Sequence, residues 1–182
     1  MCGILGIINL DDDVIDINDL KLMSQKMLHR GPDDEGFYVN KNVGIGMRRL
    51  SIIDPHGHCQ PIYNEKKNIH LVMNGEIYNY VELRNRLIAK GYKFYTNGDA
   101  EVLVHLYEEM GFNAINEING MFSFSIYDEK KNIIWIARDR IGIKPLFYTQ
   151  SHNKFSFSSD LTSLRLLNKS SISQSSILSY LG

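Results

Sequence analysis

The stretch Met121–Tyr127 alternates its apolar side chains, with Phe122, Phe124 and Ile126 two residues apart. A charged tip, Asp128-Glu129-Lys130-Lys131-Asn132, follows, and behind it comes the apolar run Ile133–Ala137. Period-two alternation beside a polar turn is the pattern of a β-hairpin. Leu146–Tyr148 and Phe155–Phe157 repeat it across Ser151-His152-Asn153-Lys154. Further strands are expected at Gly3–Asn9, which starts almost at the N-terminus and is cut off by Asp11-Asp12-Asp13, at Phe37–Val39 and Val43–Met47, and at Ile69–Met73, which runs into Asn74-Gly75. Three helices stand among them. Asn18 can cap the first, which places Leu20, Met23 and Met27 on one face. The second carries Leu83, Leu87 and Ile88 on one side and stops at Gly91. The third fits the i, i+3, i+4, i+7 template with Leu103, Leu106, Tyr107 and Met110, and stops at Gly111. Arg30–Gly36 and Asp54–Pro61 read as loops, and two weak helical patterns follow Asp160. Strands in hairpins without strict β-α alternation give the class α+β with mostly antiparallel sheet. The last 14 residues hold six serines, which suits a linker. Residues 1–165 are therefore expected to form one domain and 166–182 a C-terminal segment.

Composition removes several functions. Twenty basic residues against 21 acidic ones leave a net charge of −1, which offers no field for nucleic acid or an anionic membrane. No apolar run approaches the roughly 18 residues of a membrane span. The N-terminus lacks a basic region before its apolar run, so a signal peptide is not expected and the cytoplasm is the default. Two cysteines do not make a disulfide framework, in keeping with a reducing compartment.

Cys2 is the most unusual residue. Removal of Met1 would put a thiol and a free α-amine on one residue. An α-amine titrates near pH 8, so it can serve as base toward its own thiol, directly or through one water. By position alone Cys2 is equally a small residue beside the initiator methionine. His56-Gly57-His58-Cys59 offers metal donors but lacks a second cluster at zinc spacing, so no metal site is expected. Cys59 reads as a bystander thiol.

A set of motifs in fixed order changes the weight on Cys2. They are Cys2-Gly3-Ile4, Arg30-Gly31-Pro32-Asp33, Arg49-Leu50-Ser51-Ile52-Ile53-Asp54, Gln60-Pro61, Asn74-Gly75-Glu76-Ile77-Tyr78-Asn79, Gly98-Asp99-Ala100-Glu101, Asn119-Gly120-Met121-Phe122 and Ala137-Arg138-Asp139-Arg140-Ile141-Gly142-Ile143-Lys144-Pro145-Leu146. Over at least residues 2–160 the chain closely resembles the class II glutamine amidotransferase domain of glutamine-hydrolysing asparagine synthetases. The resemblance implies the N-terminal-nucleophile hydrolase fold, a four-layer αββα sandwich of two mostly antiparallel sheets. It implies that Cys2 attacks the side-chain amide of L-glutamine and that Asn74 and Gly75 stabilise the oxyanion. It implies that Arg49, with backbone groups of Leu50, Ser51, Ile52 and Ile53, takes the α-carboxylate, and that Glu76 and Asp99 take the α-ammonium. A guanidinium fork suits a carboxylate, and anionic side chains suit an ammonium.

Each residue also has a plainer reading. Arg49 alone suits a surface salt bridge, and Arg48 is as good a cation. Asn74-Gly75 alone reads as a type I′ turn. Asp99 alone reads as the N-cap of the third helix, a role compatible with ligand binding. No cofactor is expected in this chain. ATP and magnesium belong to a synthetase domain whose adenylating Ser-Gly-Gly-Leu-Asp-Ser type loop these 182 residues lack, so that domain is expected in cis or in trans. Two alternatives stay open on sequence. One is a catalytically silent docking module for a synthetase, and the other is an amidase for a different amide. The ammonia acceptor and homo-oligomerisation stay open too.

Overall fold

The computed structural model describes residues 1–50, 59–167 and 175. Strand β1 (Gly3–Asn9) is buried at every residue, which its apolar sequence requires. It is the central strand of a five-stranded sheet. On one side it pairs with β3 (Val43–Arg49), which pairs with β2 (Asp34–Asn40); on the other it pairs with β9 (Lys154–Ser158), which pairs with β8 (Phe147–Gln150). The second sheet runs β4 (Ile62–Tyr63), β5 (Ile69–Ile77), β6 (Gly120–Asp128), β7 (Ile133–Arg138). Every strand pair is antiparallel. Both expected hairpins are present, with Tyr127 opposite Ile134 and Tyr148 opposite Phe157.

Three apolar clusters define four layers. Ile4, Ile8, Val43, Ile45, Met47, Val72, Tyr127 and Phe157 fill the space between the sheets. Leu5 and Ile7 point the other way along β1, as strand alternation demands. They meet Leu20 and Met23 of α1 (Ile17–Lys26), Met27 just beyond it, and Leu164 of α4 (Leu161–Leu164). On the far face Leu71, Met73, Phe122, Phe124 and Ile126 meet α2 (Tyr80–Ala89) and α3 (Ala100–Met110). The αββα sandwich expected from the resemblance is the observed fold. A buried leucine or isoleucine contributes about 1.5–3 kcal/mol relative to its exposed state, so the central cluster alone is a large share of what holds the sheets together.

Three local expectations are corrected. The cap of α1 is Asp16, whose carboxylate accepts from Asn18 N–H at 2.9 Å; extended backbone at Asp16 lets its side chain fold back, whereas Asn18 already lies within the helix. Ile88 is 49% exposed, because the face of α2 turned to α3 and the sheet carries Leu83 and Leu87, with Tyr80 at its start, and not Ile88. Asn74-Gly75 is neither a turn nor a strand end. The β5 ladder runs through Asn74↔Ser123 and Gly75↔Phe122 to Ile77↔Gly120, so pairing with β6 overrides the local turn preference.

Candidate active site

The two sheets part at one edge, where β1 begins, β3 ends and β5 passes the start of α3. A cavity of about 170 Å³ lies there. A 150 Å³ cavity holds a benzene-sized molecule, so the volume is on the scale of a free amino acid. Cys2, Arg49, Leu50, Asn74, Gly75, Glu76 and Asp99 all line it. Ser51, Ile52 and Ile53 lie outside the described residues, as do His56 and His58.

The ladder explains the convergence. Gly3 faces Arg48, so Cys2 stands at the end of β1 beside Arg49 and Leu50. Its thiol lies 3.4 Å from Leu50 N, which donates to it, and 3.6 Å from Leu50 O. Arg30 Nε donates to the Cys2 carbonyl at 3.2 Å and fixes the backbone at the nucleophile candidate. Alternation along β3 separates the two arginines. Arg48 is committed away from the cavity, with Nη2 3.0 Å from Glu35 and Nε donating to Ser24 Oγ at 2.9 Å, while Arg49 lines it.

On β5, Asn74 follows Val72 on the face turned toward the other sheet. It is 2% exposed, and its Nδ2 has no hydrogen-bond partner among the described residues. Burying an amide donor without a partner costs about 1–3 kcal/mol. Gly75 has no room for a side chain, since a Cβ would stand 2.2 Å from Met121 O and 2.6 Å from Phe122 Cα. That close approach packs β5 tightly on β6, and Gly75 lines the cavity.

Asp99 precedes α3 but does not cap it with its side chain. Its carboxylate accepts from Ile77 N–H at 2.8 Å, tying the helix start to β5 instead. Burial pushes the Asp99 carboxyl above its ordinary range; the Ile77 N–H opposes this, and the neighbouring Glu76 charge adds to the rise. A cation placed between Glu76 and Asp99 would favour the ionised form of both carboxylates and offset their mutual repulsion. Cys59 is a thiol near this edge, pushed up to about 12 by burial and by its hydrogen bond to Asp34. At neutral pH it stays protonated and is a poor nucleophile.

Several supporting residues went unassigned from sequence. Gln60 bonds the backbone of β5 like an extra strand, with Met73 N–H donating to its Oε1 at 2.6 Å and its Nε2 donating to Met73 O at 3.2 Å. Its own backbone presses on β2 at Gly36, where a Cβ would stand 1.9 Å from Gln60 O. Gln60 thus joins the two sheets at the cavity rim. Glu101 is fully buried and holds the segment before Asp99, accepting from Tyr95 N at 2.9 Å, Thr96 N at 2.7 Å and Thr96 Oγ1 at 2.6 Å. Thr96, Gly98 and Lys144 line the cavity as well. Gln60, Gly98 and Glu101 fall inside the ordered motifs, which was the available signal, but no local pattern assigns them a role, while for Lys144 the resemblance implies only a part, with Arg138, Asp139 and Pro145, in ordering a loop near a synthetase interface.

The site's geometry can be set beside known proteins. A family model described as "Glutamine amidotransferase domain" matches residues 1–182. "Asparagine synthetase [glutamine-hydrolyzing] 2" of Bacillus subtilis is 46% identical over 167 residues, covering 90% of this chain and 22% of the relative. "Asparagine synthetase B [glutamine-hydrolyzing]" of Escherichia coli is 40% identical over 148 residues, covering 81% of this chain and 26% of the relative. The chain thus spans about a quarter of the length of these curated relatives. Among solved structures, a glutamine phosphoribosylpyrophosphate amidotransferase from B. subtilis superimposes with a TM-score of 0.77 at 20% identity, over 91% of this chain and 43% of that one. A structure described as the allosteric regulatory enzyme of purine biosynthesis gives 0.79 at 21% identity, over the same shares. These likenesses establish the fold.

Proposed function

Because the chain belongs to the glutamine amidotransferase domain family, we propose that it hydrolyses L-glutamine to glutamate and ammonia, with Cys2 as nucleophile once Met1 has been removed. The Cys2 α-amine takes the thiol proton as sulfur attacks the side-chain amide carbon. The amide oxygen becomes an oxyanion held by Asn74 Nδ2 and the Gly75 backbone. The amine returns its proton to the departing nitrogen, and ammonia leaves. Water then cleaves the γ-glutamyl thioester, releasing glutamate and restoring the thiol. Arg49 binds the α-carboxylate, and Glu76 and Asp99 bind the α-ammonium.

The observation that carries this reading is the buried, unpartnered Asn74 amide, lining one cavity with the Cys2 thiol. A donor left unsatisfied in the resting protein suits a charge that exists only during reaction. The Arg49 cation and the Glu76–Asp99 pair in the same cavity suit the two charged ends of a free amino acid. We further propose that the ammonia serves an ATP-dependent asparagine synthetase-type domain in cis or in trans, as the names of the relatives suggest. The test is glutamate release from glutamine by protein beginning at Cys2, without ATP. Correctly processed protein that makes no glutamate would refute the reading and favour a silent docking module.

A further inference from the structure

The loop between β7 and β8 inverts the usual sorting of side chains. Ile141 is 83% exposed and Ile143 is 51% exposed, yet Lys144 is only 8% exposed and lines the cavity. Lysine is almost never buried without a partner, since removing its charge from water is costly. Among the described residues Lys144 Nζ has neither a hydrogen bond nor an ion pair.

The loop is built to hold this arrangement. The Asp139 carboxylate accepts from Ile143 N at 2.8 Å, Lys144 N at 3.0 Å and Phe122 N at 3.3 Å. Arg138 donates from Nε to Lys144 O and from Nη2 to Gly142 O, both at 2.6 Å. Two charged side chains thus fix the backbone on either side of the lysine. Through Asp139 the loop is fastened to Phe122, and Phe122 is the ladder partner of Gly75. The loop carrying Lys144 is therefore held to the second sheet opposite Gly75, and Lys144 lines the same cavity as Asn74 and Gly75, which Arg49 reaches from the first sheet.

We propose that Lys144 is a further electrostatic donor to the oxyanion, acting with Asn74 and Gly75. The inference rests on the glutaminase reading and deepens it. Two cations and two carboxylates line the cavity: Arg49 and Lys144, Glu76 and Asp99. A bound amino acid engages Arg49 with its carboxylate and Glu76 and Asp99 with its ammonium. The charge of Lys144 is then left without a counterpart in the substrate, and it gains one when the amide oxygen becomes negative. An interaction realised only in the transition state raises kcat rather than lowering KM.

The test compares Lys144→Met and Lys144→Arg with wild type, all beginning at Cys2. Lys144→Met should lower kcat for glutamine hydrolysis about 10²-fold, as for loss of one oxyanion donor, and leave KM nearly unchanged. Its Tm should not fall, because methionine keeps an apolar stem of similar length in the place of the covered lysine stem. Lys144→Arg should keep most of the wild-type kcat. A Lys144→Met kcat within twofold of wild type would overturn the proposal. A rise in KM alone would overturn it too, by putting the ammonium on the substrate carboxylate. Lower Tm and equal loss of kcat in both variants would make the lysine structural. Wild-type protein that hydrolyses no glutamine would refute the glutaminase reading itself, and this inference with it.

Discussion

Replacing Glu101 with glutamine should damage stability and substrate binding together, because one buried carboxylate holds both. Oε1 accepts from Tyr95 N, and Oε2 accepts from Thr96 N and Thr96 Oγ1. Glutamine keeps one acceptor oxygen and turns an NH₂ toward the remaining donors. At least one buried donor is then orphaned. Hydrogen bonds to a charged group contribute about 1.5–3 kcal/mol each, so a loss of about 2–4 kcal/mol is expected. For a domain of this size that lowers Tm by roughly 5–15 °C. The loop so loosened carries Thr96, Gly98 and Asp99 into the cavity, so KM for glutamine should rise while kcat changes less. Burial pushes the Glu101 carboxyl up, but the His105 ring 3.5 Å away and the hydrogen bonds from Thr96 and Tyr95 outweigh it and hold the group below its ordinary value. The sign follows: this stability is fully present above the unfolded pKa and is lost as pH falls through the lower folded one. Urea unfolding of wild type and Glu101→Gln should therefore differ most above about pH 5.5, roughly a unit over the ordinary glutamate pKa, and converge in acid. Equal stabilities at pH 7, or a gap that widens in acid, would refute the reasoning.

Cys2→Ala should abolish hydrolysis while leaving the fold intact, and Cys59→Ala should stay near wild type; labelling by a glutamine-mimicking diazo-ketone at Cys59 rather than Cys2 would reverse the assignment. Arg49→Ala should raise KM strongly through loss of a charge-assisted fork, whereas Asn74→Ala should lower kcat by about 10²–10³; the opposite split would exchange their roles. KM should also climb as pH falls through the raised pKa of Asp99, because a protonated carboxyl no longer pairs with the α-ammonium. A KM–pH profile unchanged in Asp99→Asn would remove Asp99 from that role.

The antiparallel elements were legible because they follow local rules. Met121–Tyr127 alternates, and the β6–β7 hairpin forms at its charged tip. Asn74-Gly75 misleads as an isolated dipeptide because its conformation is set by the nine residue pairs between β5 and β6, which a local reading does not weigh. The site residues were legible as an ordered set. What composition could not separate, the pleat separates: Arg48 and Arg49 are equivalent cations in sequence and lie on opposite faces of β3. Gln60 and Glu101 escaped notice because their roles are long-range hydrogen bonds to backbone groups, and such partners carry no side-chain signature. Lys144 was quoted within a motif, but its burial depends on the loop geometry set by Asp139 and Arg138.

The central claim is that the thiol of Cys2 works with its own free α-amine. Met1, which stands in the cavity lining, blocks that amine while it remains. Intact mass and glutamine hydrolysis should be measured on the same preparations, one processed to begin at Cys2 and one in which removal of Met1 is prevented. The account predicts that activity tracks the fraction that has lost one methionine and is absent from the protein that keeps it. Full glutaminase activity in protein that retains Met1 would contradict it.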